Sequence, residues 1–451
     1  QRMHSKRLRS ALAAASAMLA LAAVPAYAQG PDPSDAFVPG EAIVGLEGGG
    51  TTVAELPAGT PVAEGIAQLE RNPEIRFATP NWIAHASVDV LDQGAAGTPG
   101  GWREDQWSFL GKPGGIHVAP AWDELAKEHE PGGLGTTVAV VDTGLAYASA
   151  PGYLPSPDFG ISQFVSGIDL VDDDGAPLDE NGHGTHVAGT IAEEATWGQP
   201  AAGPDYLTGI AYGARLMPIR VLDAEGVGGT DDVATGILWA ARNGAEVINL
   251  SLNFDPMVDR CSDVPTVCTA IRKARKAGAL VVGAAGNALD ANGKHRALFP
   301  AGASDAFGVG ATTEHGCLAA YSHYGKRTDL LAPGGGAARG GPASRPECAR
   351  DSRPVLQLTY ACFPMDCTGG REAFAIRPDI GTSMSAAHAS GVAALVISSG
   401  VVGGDPSPER VAERLQCTAR PRQPERYYGV GLLDAARAVD PHRDCGRPSA
   451  G

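Results

Sequence analysis

After its first 28 residues the 451-residue chain has no long apolar run, so nothing in its body reads as a membrane span. It also lacks a basic stripe. Its 35 Lys and Arg stand against 51 Asp and Glu, and the net charge of −16 argues against a nucleic-acid-binding protein. The one cationic run, Arg272-Lys273-Ala274-Arg275-Lys276, alternates with Ala at helical spacing and reads as a solvated helix face. No Cys-x-x-Cys and no His-Glu-x-x-His occurs, which removes the commonest zinc frameworks. Despite 60 Gly and 34 Pro there is no period and no low-complexity block, which excludes a fibre. What is present is 43% hydrophobic and 19% charged, a globular composition with core enough for one large or a few ordinary domains.

Lys6, Arg7 and Arg9 precede an apolar run over residues 11–24, and Ala26-Tyr27-Ala28 is a small-residue cleavage pattern. Residues 1–28 are therefore expected to be a secretory signal peptide, too short to be a stable span. Gln1 and Arg2 stand before the first Met3. The mature protein is expected outside the cell or in the periplasm, in contact with neither membrane nor nucleic acid. All eight cysteines lie beyond residue 28, and an even count in an oxidising compartment reads as disulfides. Cys261/Cys268 and Cys362/Cys367 are close enough to form local loops. Cys317/Cys348 and Cys417/Cys445 then follow by elimination.

Residues 29–104 differ in pattern from the rest of the chain. A short strand is expected at 41–46, a modest helix at 61–71 and a second strand at 74–78, ahead of a Gly-, Ala- and Pro-rich linker at 91–101. A small α+β module before a cleavable linker reads as a propeptide, and an accessory domain is the alternative. From Trp107 onward, apolar strands at 137–142, 216–222, 246–250, 280–285 and 307–311 alternate with helices at 186–195, 231–243, 264–277 and 384–398. That alternation predicts an α/β domain over residues 105–451, with a mostly parallel central sheet covered by helices on both faces. Ligands in such folds gather at the carboxyl ends of strands, where Asp142, Ser251 and Asn287 stand.

Three short stretches carry candidate chemistry. Gly381-Thr382-Ser383-Met384-Ser385 delivers a hydroxyl to the first turn of an Ala-rich helix, where free N–H groups favour a developing negative charge. Ser383 could there be a nucleophile, or Thr382 and Ser383 could simply cap the helix. Asp142-Thr143-Gly144 ends a β-branched strand. It could supply half of a carboxylate dyad shared between two copies of the chain, since no second Asp-Thr-Gly occurs, or an Asx-type turn. His183, in Asn181-Gly182-His183-Gly184-Thr185-His186, sits between glycines at a loop-to-helix junction, placed to exchange protons near neutral pH. His186 reads as a packed helix histidine.

Taken together, Val-Val-Asp-Thr-Gly, His-Gly-Thr-His-Val-Ala-Gly-Thr and Gly-Thr-Ser-Met-Ser, in that order, resemble the three active-site signatures of the subtilisin-like serine proteases. The resemblance runs from about Trp107 to Val439. It implies an endopeptidase acting on polypeptides, made as a precursor and matured between about Ala84 and Glu104, with Asp142, His183 and Ser383 as triad. Asn287, in Val281-Val282-Gly283-Ala284-Ala285-Gly286-Asn287, would pair its amide with the Ser383 backbone N–H as oxyanion hole. It further implies that a substrate strand inserts between Gly226-Val227-Gly228 and Ser251-Leu252-Asn253. The chain's own propeptide would be the inhibitor and the mature enzyme a monomer. Gly431-Leu432-Leu433-Asp434-Ala435-Ala436 matches the closing helix.

Asp169, Asp172 and Asp174 converge on Gly175 just before the candidate histidine. Three carboxylates on such a turn suit a hard cation, and some relatives place calcium there, while a solvated acidic turn is the alternative. Asp158 resembles a second calcium-ligating position. The sequence also departs from the family. Asn253 stands where relatives usually have Gly, Leu298 falls where a small residue often floors the first specificity pocket, and a narrowed pocket is expected. Ala387 replaces the usual Pro four residues after the nucleophile. The leading module resembles the inhibitory propeptide in its last strand, residues 77–81, but is expected to lack one helix and a hairpin.

Overall fold

A computed structural model describes residues 36–87, 102–127, 132–194, 207–287, 296–339, 346–363, 371–404 and 406–445. The expected signal peptide and linker lie outside these residues. The chain divides into two compact units, 1–82 and 83–451.

The first unit contains β1 (Phe37–Leu46), β2 (Thr51–Glu55), α1 (Val62–Leu69) and the larger part of β3 (Ile75–Ala86). β1 runs antiparallel to β2 on one side and to β3 on the other, with Val44 opposite both Thr52 and Ala78. Ala42, Ile43, Val44, Val62 and Ala78 are buried. The hairpin expected to be missing is present. Gly48-Gly49-Gly50 makes its turn, but β2 is an exposed edge whose residues show no apolar alternation, so nothing in the pattern marked it as a strand.

The second unit opens with the short α2 (Trp102–Asp105) and α3 (Val118–Lys127), then builds a seven-stranded sheet. Its strands are β4 (Thr137–Asp142), β5 (Ile168–Asp169), β6 (Arg215–Arg220), β8 (Val247–Leu250), β10 (Leu280–Ala284), β11 (Phe307–Thr312) and β12 (Leu330–Pro333). Every pair is parallel, in the spatial order β12-β11-β10-β8-β4-β6-β5. Two further short strands, β7 (Val227–Gly229) and β9 (Leu252–Phe254), lie beyond the ends of β6 and β8.

Along β4 the side chains divide by parity, as a sheet buried on both faces requires. Val138 and Val140 enter the main core with Val187 and Ile191 of α4 (His183–Ala192) and Val392 of α7 (Thr382–Ser398). Val141 points the other way, where Gly236 of α5 (Thr230–Arg242) packs against it and Ile219. α6 (Pro265–Lys276) lies beside α5 and carries Lys273, Arg275 and Lys276 in its last turn, which suits the helix dipole. The expected α/β architecture is therefore observed. A two-stranded ribbon, β13 (Val355–Tyr360) and β14 (Phe374–Asp379), was not anticipated, because Arg377 and Pro378 break the apolar alternation of β14.

α8 (Pro408–Thr418), the single turn α9 (Glu425–Tyr428) and α10 (Ala435–Val439) close the chain, and the Asp434 side chain caps α10 by accepting from the Arg437 N–H. Cys261 bonds Cys268, Cys317 bonds Cys348 and Cys417 bonds Cys445, as the spacings suggested. Cys362 is also disulfide-bonded, and Cys367 lies outside the described residues. The Cys317–Cys348 bridge closes a loop of 31 residues. Replacing both cysteines with Ser is expected to lower the unfolding free energy by about 2–4 kcal/mol, read from denaturant unfolding curves.

Candidate active site

The interior strand β4 ends in Asp142, and its neighbour β8 ends one residue before Ser251. The chain passes from β4 to β5 and β6 on one side and to β8 on the other. The crevice between β4 and β8 is thus the topological switch point of the sheet. α4 begins at His183 and α7 places Ser383 second, so both side chains belong to first turns whose N–H groups have no intrahelical acceptor.

The His183 Nδ1 lies 2.7 Å from Asp142 Oδ1, and both residues are fully buried. A carboxylate only accepts, so Nδ1 carries the proton and Nε2 is left as the acceptor. Nε2 has no hydrogen-bond partner among the described residues. Burial disfavours a charged imidazole here. The Asp142 carboxylate, seconded by Asp379 and Asp179, outweighs it and holds His183 above its ordinary value of 6.5. The dyad alternative for Asp142 is excluded by this arrangement, since its carboxylate is engaged and wholly enclosed.

The Ser383 hydroxyl does not reach His183 in this conformation. It lies 2.6 Å from the carbonyl oxygen of Ser87 and 3.0 Å from that of Ser251. The same Ser87 oxygen accepts from Asn287 Nδ2 at 2.5 Å. Asn287 is oriented from behind, its Oδ1 accepting from the Thr382 N–H and the Thr382 hydroxyl, each at 2.8 Å. A β-carbon on Gly381 would sit 2.5 Å from the Ser87 oxygen, so a side chain there would close the position that the carbonyl occupies.

Ser87 ends an extended segment held on both edges. Ile83, Ala84 and His85 pair antiparallel with Gly229, Gly228 and Val227, and the Ala86 N–H donates to the Gly226 carbonyl at 2.9 Å. On the other edge Ala84, His85 and Ala86 pair with Phe254, Asn253 and Leu252, and the Ser87 N–H donates to the Ser251 carbonyl at 3.0 Å. Gly226, Val227, Gly228, Ser251, Leu252 and Asn253 thus flank one strand, that of residues 83–87. The strand that fills the gap was not anticipated.

Three supporting groups were also missed. Asp179, fully buried, accepts from the Thr143 hydroxyl, from the Asn181 and Gly182 N–H groups, and from the Thr185 N–H and hydroxyl, at 2.6–2.9 Å. It binds the turn after Asp142 to the first turn of α4. Asn249 donates to the Ser251 hydroxyl, which donates to the Ser383 carbonyl, while Ser390 donates back to Asn249, so α7 is pinned to β8. Asp179, four residues before His183, carries no sequence signal that sets it apart from other turn residues.

Arg220 is the third, and it engages two of the three carboxylates expected to hold calcium. Its guanidinium, 3% exposed, bonds Asp169 at 2.9 Å, Asp172 at 2.5 Å and Glu180 at 2.7 Å. The other Asp169 oxygen accepts the Val171 and Asp172 N–H groups, and an Asp174 oxygen accepts the Ala176 N–H. Asp169 and Asp172 therefore converge on the Arg220 guanidinium, and Asp174 does not join them. Among the described residues no group of His, Cys, Asp and Glu is arranged to hold a metal ion. Asp158 faces the buried Glu193 instead, and burial together with Asp158 pushes the Glu193 carboxyl well above the usual range.

His186 is buried and bonds the Arg377 carbonyl through Nε2 at 3.2 Å. Burial lowers it to about 3, so it is a neutral packing group at any working pH. Ala387 is buried inside an uninterrupted α7. Removing the Arg220 charge leaves Asp169 buried without its cation. Arg220→Met is expected to cost about 3–5 kcal/mol of unfolding free energy, checked by denaturant titration.

Residues 133–431 match the subtilase family of peptidases. The chain is 32% identical to a thermophilic serine proteinase of a Bacillus species, over 83% of this chain and 75% of that protein. It is 30% identical to an extracellular protease of Xanthomonas campestris, over 82% of this chain and 60% of that protein. A protease from Pseudoalteromonas arctica has a similar solved structure, with a TM-score of 0.59 and 30% identity over 76% of this chain and 99% of the other. Fold, motif order and these likenesses agree, and the chain belongs to the subtilase family of serine endopeptidases.

Proposed function

We propose that Asp142, His183 and Ser383 are the catalytic triad of this endopeptidase and that Asn287 and the Ser383 backbone N–H form its oxyanion hole. The observation that carries the reading is a peptide carbonyl, that of Ser87, lying within hydrogen-bond distance of both Asn287 Nδ2 and Ser383 Oγ. In the reaction the Ser383 hydroxyl turns from the Ser251 carbonyl to His183 Nε2, which takes its proton as Oγ bonds the carbonyl carbon. The carbonyl oxygen becomes an oxyanion facing Asn287 Nδ2, which is already aimed at it. Asp142 keeps His183 in the Nδ1–H tautomer and stabilises the imidazolium. As the C–N bond breaks, His183 returns the proton to the leaving amine. The acyl-enzyme ester is then hydrolysed by a water that His183 deprotonates.

The substrate is a polypeptide bound as a strand between Gly226-Val227-Gly228 and Ser251-Leu252-Asn253. Residues 83–87 hold that place in the chain's own cleft. We take residues 29–87 as the propeptide, its end blocking the cleft, and the bond between Ser87 and Val88 as the maturation bond. All the catalytic groups come from one chain, so a monomer suffices. The N-terminal pattern of residues 1–28 supports export, and none of the helices among the described residues is long and apolar enough to cross a membrane. Calcium is not assigned to the Asp169–Asp174 loop.

A fluorophosphonate probe is expected to label the processed protein on Ser383. Ser383→Ala should take no label and keep its leading region, whereas N-terminal sequencing of the parent should begin at Val88. An unlabelled but folded and processed parent would remove the triad assignment. Asn287→Ala is expected to lower kcat by roughly 10²–10³, the scale known for loss of such a donor in a subtilisin, with KM changed far less. Because His183 must be neutral to accept the proton and is held above 6.5, kcat/KM should fall as pH drops through a midpoint above 6.5.

A further inference from the structure

We infer that the first specificity pocket of this enzyme selects serine, the residue whose carbonyl is attacked, and that Asn253 is the group that reads its hydroxyl. The inference rests on the endopeptidase reading above and on Ser87 standing in that subsite.

Ser87 is only 5% exposed, and its hydroxyl is enclosed by protein polar groups. Ser87 Oγ lies 2.7 Å from Asn253 Oδ1 and 3.1 Å from Thr382 Oγ1. The orientation of the Asn253 amide is not a free choice. Its Nδ2 donates to the Ala284 carbonyl at 2.7 Å, and a carbonyl can only accept, so the oxygen must face Ser87. Ser87 must then donate to Asn253. The Thr382 hydroxyl accepts the Gly286 N–H at 3.0 Å and gives its one proton to Asn287 Oδ1 at 2.8 Å, so it stands beside Ser87 Oγ without donating to it. The serine hydroxyl is thus recognised as a donor, by Asn253 Oδ1.

The pocket also lacks depth for anything larger. Asn253, 7% exposed, projects its side chain across the space between β9 and the end of β10 to reach Ala284. Gly286 on the opposite wall is backed by Leu298, which is 5% exposed and would lie 2.7 Å from a β-carbon on Gly286. Without the hydroxyl, Asn253 Oδ1 would be a buried acceptor with no donor. Sites that hydrogen-bond a substrate hydroxyl reject the analogue that lacks it far better than apolar pockets reject a missing methylene. An alanine substrate would fit and still be poor. Leucine or phenylalanine would meet the Asn253 amide.

The test uses processed protein and quenched octapeptides of the sequence of residues 83–90, Ile-Ala-His-Ala-Ser-Val-Asp-Val, with the serine varied. Expected is a fall in kcat/KM of about tenfold or more from Ser to Ala, with cleavage after Leu and Phe lower still. In Asn253→Gly the Ser-to-Ala ratio should shrink to within about twofold and Leu and Phe should become substrates. The parental panel decides alone if that variant does not fold. Fluorophosphonate labelling in the same preparation separates the two claims. Labelled protein that cleaves Ser and Ala peptides equally, or prefers Phe, overturns the serine pocket and leaves the endopeptidase standing. Folded protein that neither labels nor cleaves overturns both.

Discussion

The contact on which the rest of the site depends is a carboxylate without access to water. Asp142 sits at the end of an interior strand of a sheet covered on both faces, where an ion is costly unless it is paired and hydrogen-bonded. One of its oxygens accepts the Thr143 N–H at 2.8 Å and the His183 Nδ1 proton at 2.7 Å. The histidine is thereby fixed in tautomer as well as in place, and its free nitrogen must look away from the strand. Much of the surrounding polar architecture keeps this pair in register. Asp179 joins the turn after Asp142 to the helix that carries His183, and Tyr360 and Thr359 of the β13–β14 ribbon bond the carbonyls of Asp179 and Gly182 from behind. The ribbon is thus part of the support of the site although it contributes no reacting group.

The loop between β5 and α4 poses the same electrostatic problem one step further out. Asp169, Asp172 and Glu180 gather negative charge in one place, and a bound cation is one way to neutralise it. Arg220 is another. It ends β6, the strand beside β4, so its guanidinium enters the loop from the sheet itself and needs no ion from solution. A planar fork that donates to three carboxylates fixes the loop geometrically as well as electrically. The motif that suggested a calcium loop was correctly read as acidic and convergent. What sequence alone could not supply was the counter-charge, because Arg220 lies 40 residues and more away from the carboxylates it meets.

That contrast describes the legibility of the chain as a whole. β4, β8, β10 and β11 were readable because both of their faces are buried and their sequences are unbroken apolar runs. The three family motifs were readable because each is a short continuous stretch in which Gly and small hydroxyl residues occur together. The edge strand β2, the ribbon β13–β14 and the hubs Asp179 and Asn249 were not. The strands among these expose one face or carry Arg and Pro, so their pairing is decided by partners distant in sequence. A buried polar hub looks in sequence like any turn residue. The disulfides fall between these cases. Proximity identified Cys261–Cys268, and the longer bridges followed only once the short ones were taken out.

Asn253 shows how a departure from a family pattern acquires meaning from its neighbours. In sequence it was a residue larger than the usual glycine beside a substrate-binding strand, and bulk alone implied a narrowed pocket. In the structure its amide is clamped by the Ala284 carbonyl, so the added bulk presents an oriented acceptor. An acceptor in a closed pocket is a liability when the pocket holds a group that cannot donate, and an asset when it holds one that can. The chain places a serine there, on the segment that lies in its own cleft. The residue that narrows the pocket and the residue that fills it are therefore matched in chemistry as well as in size. Thr382, whose hydroxyl lies 3.1 Å from that of Ser87, also gives its N–H and its hydroxyl proton to Asn287 Oδ1. The residue that fills the pocket and the side chain of Asn287 therefore share Thr382 as a neighbour.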